Sequence, residues 1–421
     1  MTNIHNYFNR VAKIHSDRLN RVNFKNFYLD KFKFSELLDI ALNKKYKSIY
    51  VGKLHLSDYE YLCEKLKYND YVDELCICLE YYDKNYEKEE LFKKIDEHNE
   101  IIKRITDLLH CNKSIKVLKI KKSMNSHKIL NEFYDAVCKS EIDRLTLSTI
   151  NINCDDLCDM IKRNKNLIYL CIRRNNFNNE ELNNISKVIL ESNINKVDFS
   201  GSFLTDNFVN DLLDNKNIKK IVLRGSAEYL DFNKLFKKLE GNTSLESLNI
   251  SNYDDNMIQV DRIENITCLI NNKHLKKLYM TELNDCLDQK FAKKLSKVIK
   301  NNNILEKFVF TIENENDHMD YDDNPSNESA AIIAMALKKN INLIDFANIH
   351  NLPKCYSSNK IQKYIKRNIV LKSESFQLLL FIKYLPNSKL PLPKLLIGDM
   401  IIPYLNVVLC EKISDCNYNY N

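Results

Sequence analysis

One arrangement of apolar and polar positions, apolar-x-x-apolar-x-apolar, returns along the chain. It reads Leu19-x-x-Val22-x-Phe24, Tyr46-x-x-Ile49-x-Val51, Val72-x-x-Leu75-x-Ile77, Ile115-x-x-Leu118-x-Ile120, Ile142-x-x-Leu145-x-Leu147 and Leu167-x-x-Leu170-x-Ile172. It continues as Ile194-x-x-Val197-x-Phe199, Ile218-x-x-Ile221-x-Leu223, Leu245-x-x-Leu248-x-Ile250, Leu275-x-x-Leu278-x-Met280 and Leu305-x-x-Phe308-x-Phe310, with a degraded twelfth copy at Leu343-x-x-Phe346. The middle apolar residue of each copy serves as an anchor. Successive anchors lie 27, 26, 43, 27, 25, 27, 24, 27, 30, 30 and 38 residues apart. Nine of these eleven steps fall between 24 and 30, which makes the pattern a repeat.

Each unit has two parts. The end of the short pattern alternates with period 2, as in a strand that sends every second side chain into a core. The remainder has helical period: Leu182, Ile185, Val188 and Ile189 share one face, as do Phe291, Leu295, Val298 and Ile299. Asparagine-rich joints such as Asn215-Lys216-Asn217 and Asn301-Asn302-Asn303 break the helix before the next strand. Neither part can bury its apolar face alone, and stacking copies builds one continuous core. The sequence predicts about twelve strand–helix units.

Over roughly residues 19–350 the chain resembles the leucine-rich-repeat family, in its ribonuclease-inhibitor-like or tropomodulin-like class. Leu167-Ile-Tyr-Leu170-Cys-Ile172-Arg-Arg-Asn175-Asn-Phe177 carries that family's L-x-x-L-x-L-x-x-N-x-φ pattern, and Asn242-Thr-Ser-Leu245-Glu-Ser-Leu248-Asn-Ile250 resembles its helix-to-strand junction. The resemblance implies an α/β solenoid, or horseshoe, with a parallel concave sheet and helices on the convex side. It fixes a shape and leaves the ligand open. The family's turn asparagine is present only at Asn175; elsewhere stand Phe27, Leu54, Ser123, Ser202, Ser226 or Tyr253. Those turns must be irregular, or satisfied by serine and water.

The expected organisation is a solenoid over residues 1–350 and a C-terminal helical cap over 351–421. The 43-residue step holds an insertion near 80–100, where 89–102 reads as an extra helix. The 38-residue step holds an acidic insertion, 313–328, with seven acidic residues and no Lys or Arg. Asp317-x-x-Asp320-x-Asp322-Asp323 lacks the glycine and closing glutamate of an EF-hand, so a solvated loop is expected there. Beyond about 352 the repeat ends, and 361–371 and 376–385 read as short helices covering the last repeat. Leu392-Pro393-x-x-Leu396-x-x-x-Met400-Ile401-x-x-Tyr404-Leu405 resembles the core of F-box and poxvirus-type C-terminal motifs. That resemblance implies an alternative role, as a substrate adaptor of a ubiquitin ligase.

Composition narrows the functional classes. Only five glycines and six prolines punctuate 421 residues, and the net charge of +6 is mild for a dedicated nucleic-acid binder. Thirteen cysteines follow no framework, and some, such as Cys138 and Cys268, occupy apolar positions. Reduced thiols and a cytoplasmic location are expected. No stretch approaches a membrane span or a signal-peptide core. There is no phosphate loop, nucleophile elbow or H-E-x-x-H helix. We therefore expect no enzyme, metal, cofactor or membrane partner. The lysine-rich runs 119–122 and 293–297 read as solvated faces.

The remaining candidate is the outward face of the sheet. Side chains flanking each anchor point away from the helices. They include Arg144, Tyr169, Lys196, Lys220 and Lys277 just before an anchor. Lys119 and Tyr279 stand just after one, and Lys121, Arg173 and Arg224 three residues after. A basic concave stripe suits a protein partner with an acidic surface. Asp143, Asp198 and Glu246 interleave with it, so nucleic acid is not the expected ligand.

Overall fold

The computed structural model describes residues 21–24, 33–52, 54–79, 88–121, 127–150, 152–226, 230–251, 258–259, 263–280, 283–284, 289–309, 326–346 and 359–372. The strands are β1 (Arg21–Asn23), β2 (Ser48–Val51), β3 (Glu74–Cys78), β4 (Val117–Lys121), β5 (Arg144–Ser148), β6 (Tyr169–Arg173), β7 (Lys196–Asp198) and β8 (Lys220–Val222). They continue with β9 (Ser247–Ile250), β10 (Ile258–Gln259), β11 (Lys277–Met280), β12 (Leu283–Asn284), β13 (Lys307–Val309) and β14 (Asp345–Phe346). The helices are α1 (Phe34–Asn43), α2 (Leu56–Leu66), α3 (Lys88–Cys111), α4 (His127–Lys139), α5 (Cys154–Arg163), α6 (Asn179–Leu190) and α7 (Asp206–Asp214). After them come α8 (Phe232–Gly241), a 3-10 helix (Glu264–Ile270), α9 (Gln289–Asn301), α10 (Ser326–Lys339) and a helix over 359–372. Twelve strands form one sheet in chain order, with β10 and β12 forming a separate two-stranded sheet. The chain divides into two compact units, residues 1–230 with 248–253, and residues 231–247 with 254–421.

In the first unit the anchors set the register. Val22 pairs with Ile49, Ile49 with Leu75, Leu75 with Leu118, and Leu118 with Leu145, all in parallel. Leu145 then pairs with Leu170, Leu170 with Val197, and Val197 with Ile221. Every one of these anchors is essentially fully buried. A one-residue slip turns the whole apolar set outward, so one buried face fixes the register. The second unit repeats the rule: Leu278 pairs with Phe308, and Phe308 with Phe346.

Helix starts follow the local sequence. The Asn153 side chain accepts from the Asp156 amide, and Asn178 and Glu181 form a capping box. The acidic pairs Asp155-Asp156 and Glu180-Glu181 then sit in first turns, where the helix dipole favours them. Strand exits are equally regular in the first unit. Thr149, Arg174, Gly201 and Gly225, each four residues past its anchor, have positive φ of 57°, 53°, 72° and 66°. One residue further, Asn175 Oδ1 accepts from the Ile150 amide at 3.0 Å, and Ser226 Oγ accepts from the Ser202 amide at 3.1 Å. Serine thus serves the turn directly at these positions.

The main asparagine ladder lies elsewhere, six residues before the anchor. In the second unit Asn272, Asn302 and Asn340 are buried. Each donates Nδ2 to a carbonyl of the preceding helix, Leu239, Leu269 and Ile299, at 2.6–2.7 Å. Each Oδ1 accepts from the amides two and three residues on. Asn112 and Asn164 do the same in the first unit. Where the position holds Lys139 or Glu191, the next residue takes over part of the role. Ser140 and Ser192 accept from the amides of Ile142 and Ile194, and donate at 2.8 Å to Val137 and Ile189 of their own helices rather than to the preceding repeat. The asparagines read as helix breakers are therefore the hydrogen-bonding core of each junction.

Several expectations need correction. Residues 89–102 are not an extra helix but the first part of the single 24-residue α3. The acidic insertion ends inside α10, with Glu328 in its first turn. Cys138 and Cys268 are half-buried rather than buried. The 361–371 helix is present within 359–372. There Asn368 donates to the carbonyls of Asn340 and Leu343, at 3.0 and 2.8 Å, and Arg367 donates to those of Leu337, Lys338 and Asn340. This helix caps the carbonyls at the end of α10. The calcium-loop residues, Phe27, Ser123, Tyr253 and the F-box-like segment lie outside the described residues.

Candidate functional site

In the first unit the helix-free face of β1–β8 carries the residues before and after each anchor. Arg144, Tyr169, Lys196 and Lys220 stand on four adjacent strands at one register. With strands about 4.8 Å apart, they form a row roughly 14 Å long. Arg144, Lys196 and Lys220 are exposed, and Tyr169 is half-buried. Arg144 Nε lies 3.6 Å from the carboxylate of its neighbour Asp143. Lys196 and Lys220 have no carboxylate partner among the described residues. Burial raises the Tyr169 hydroxyl above its ordinary pKa, and burial pushes the adjacent Cys171 thiol up to about 11. Neither group ionises near neutrality, so the row presents fixed cations around an aromatic side chain.

Two of the other predicted cations, Arg173 and Lys119, are neutralised by carboxylates. Arg173 donates through Nε and Nη2 to Asp198 Oδ2, at 2.9 Å for Nε. Asp198 is 1% exposed, and its other oxygen accepts from the Ser200 amide and hydroxyl. The Asp198 hydrogen bond raises the Arg173 pKa further. Lys119 pairs with the buried Glu74, which also accepts from the Tyr50 hydroxyl at 2.6 Å and lies 3.6 Å from Arg21 Nη2. Arg21 stacks 4.6 Å from the Tyr50 ring centroid. Burial alone raises the Glu74 carboxyl pKa. Hydrogen bonds from Lys119, Tyr50 and Ser48 outweigh that, and the net shift is downward.

The site therefore divides in two. Arg21, Tyr50, Glu74 and Lys119 form a closed network, and Arg173 with Asp198 a second. Lys196 and Lys220 remain open beside Tyr169, and Arg144 meets only its chain neighbour Asp143. Lys121 lies on the same face beside Ser148, and Arg224 donates to Ser251 Oγ at 3.2 Å. In the second unit Lys277 and Tyr279 are half-buried, Lys277 pairing in register with Lys307. Lys307 in turn bonds Asp345 at 3.1 Å, which raises its pKa. Glu74 and Tyr50 were not among the predicted site residues. Their signal lay in the register, since Tyr50, Cys76 and Lys119 share one row and Glu74 sits two residues before Cys76 on its strand.

Among the described residues no three metal-ligating side chains cluster, and no helix is long and apolar enough to cross a membrane. No family model matches the chain, and no curated protein matches it. Solved structures do resemble it. One is an internalin (inlF) from Listeria monocytogenes strain 4b F2365, 14% identical, TM-score 0.35, covering 63% of this chain and 68% of that one. Another is the TLR13–ssRNA13 complex, 13% identical, TM-score 0.34, covering 68% of this chain but only 37% of the other. With strand–helix units following one another in chain order along one parallel sheet, and buried anchors paired in register, the fold of this chain is that of a leucine-rich-repeat solenoid.

Proposed function

We propose that the chain is a non-enzymatic scaffold that binds a macromolecular partner, and that the helix-free sheet face of its first unit meets an acidic protein surface. One observation carries this reading: the in-register row Arg144–Tyr169–Lys196–Lys220, in which two lysines lack carboxylate partners on a face where Lys119 and Arg173 are each paired with a carboxylate. Adjacent unpaired lysines repel one another, and an approaching carboxylate relieves that repulsion. The half-buried tyrosine supplies rigid contact area between the charges.

The test is charge reversal of the row in the full chain, as R144E/K196E/K220E. The probe is a fluorescent polyglutamate peptide, with affinity capture from lysate in parallel. All three side chains are exposed, so the fold is expected to survive, as thermal unfolding will verify. Peptide binding and partner capture should both weaken, more at low salt than at high salt, because exposed charges are screened over about 10 Å at 0.1 M salt. Unchanged peptide binding and capture at low salt would sink the proposal. Tighter binding of single-stranded RNA than of polyglutamate to the same row would replace the acidic protein with a nucleic acid.

A further inference from the structure

Helix α9 of the second unit differs sharply in charge from α7 of the first. In the first unit α7 carries Asp206, Asp211 and Asp214 and no basic side chain. In the second, α9 carries five lysines and no acid. Its buried residues, Phe291, Ala292, Leu295, Val298 and Ile299, fix its orientation. Lys290, Lys293, Lys297 and Lys300 are thereby set on one exposed outer stripe, about 15 Å long at 1.5 Å per residue. None of the four has a side-chain partner among the described residues. Like charges three and four residues apart destabilise a helix, so an unrelieved row of them calls for an anionic counterpart.

The cationic stripe does not stop at α9. It packs against the 3-10 helix and α10, and the 3-10 helix packs against α8, where Lys237 is exposed. The 359–372 helix, bound to the end of α10 through Arg367, exposes Lys363 and Lys366. Apolar side chains stand in the same outer stripes. Met335 is 73% exposed, one turn before Lys338 and Lys339. Ile369 and Val370 are 48% and 40% exposed, one turn after Lys366.

We propose that this outer helix face of the second unit docks on an anionic lipid surface. Lysines with interspersed exposed apolar side chains suit a bilayer interface, where the cations meet headgroups and the apolar groups reach the acyl boundary. A nucleic acid backbone could use the lysines but would leave Met335, Ile369 and Val370 in water. The α9 stripe also offers no aromatic side chain on which bases could stack. The inference is independent of the sheet-face reading, since it uses other residues in another unit.

Cosedimentation of the full chain with vesicles tests it. One set is phosphatidylcholine alone and the other contains one part in three phosphatidylserine. Binding is expected only to the anionic set, and it should weaken at high salt. K290Q/K293Q/K297Q/K300Q should lower partitioning at least about tenfold. M335S/V370S should lower it several-fold without altering its salt dependence. R144E/K196E/K220E should partition like the unaltered chain, which separates this proposal from the previous one. Far-UV circular dichroism checks that each variant is folded. Equal partitioning into neutral and anionic vesicles would overturn the proposal. So would undiminished binding by the quadruple lysine variant, or poly(U) binding lost in that variant with no vesicle binding by the unaltered chain.

Discussion

Replacing Asn302 with alanine removes one whole rung of the junction ladder. Asn302 is 4% exposed. Its Nδ2 donates to the Leu269 carbonyl at 2.6 Å and to that of Asn272 at 3.3 Å, and its Oδ1 accepts from the amides of Ile304 and Leu305 at 2.8 Å each. The four bonds are not equal in consequence. The Leu269 carbonyl also accepts from the Asn272 amide at 3.3 Å, so it keeps a partner. The amides of Ile304 and Leu305 lose theirs. An unsatisfied buried group costs about 1–3 kcal/mol, so the two amides set a total of about 3 kcal/mol. A repeat array need not unfold in one step, so a single unfolding midpoint is a blunt readout. Amide hydrogen exchange resolves the site, and Ile304 and Leu305 should lose protection first. The protein also supplies its own partial remedy. At Lys139-Ser140 the serine one position later donates to Val137 at 2.8 Å and accepts weakly from Ile142 at 3.4 Å. The pair N302K/N303S copies that arrangement and should recover about 1 kcal/mol relative to alanine. Retained protection of both amides in N302A, or a loss below about 1 kcal/mol, would show that the ladder is incidental to the junction.

Two further predictions concern the first unit. Leu170→Ala, at a fully buried anchor paired with Leu145 and Val197, should cost on the order of 2–5 kcal/mol in urea unfolding. Exchange protection should fall in the neighbouring strands as well as in β6, and purely local damage would contradict a shared core. Glu74 tests the closed polar network through pH. Its carboxyl is held below the ordinary value of 4.5, so the folded state gains from its ionised form. That gain is complete above the unfolded pKa and is lost as pH falls through the folded one. Glu74→Gln should lower the melting temperature at neutral pH, and the gap should narrow as pH falls below about 4.5. A gap constant down to pH 3 would mean that the Lys119 contact contributes nothing through charge.

The amino-acid sequence by itself determined the repeat and its register. An apolar anchor every 24 to 30 residues leaves one way to bury all copies together, and a slip by one residue exposes every anchor. The ladder asparagines were also legible, at 43, 69, 112, 164, 215, 242, 272, 302 and 340, each six residues before an anchor. Their role was not, because the carbonyls they satisfy belong to residues 26 to 46 positions earlier in the chain, as from Asn112 to Leu66 and from Asn215 to Ile189. The same holds for charge. Counting basic residues along the outward columns gave a stripe, but pairing decided which cations remain open. Glu74 reaches Lys119 across 45 positions and Asp198 reaches Arg173 across 25. Helical period likewise marked α9 as amphipathic, while only the packing of its neighbours showed its lysines lying beside other exposed lysines and apolar side chains. Local periodicity is a property of consecutive residues and survives in the sequence. Neutralisation and patch formation depend on which strands and helices stack side by side, and that is settled only when the repeats pack.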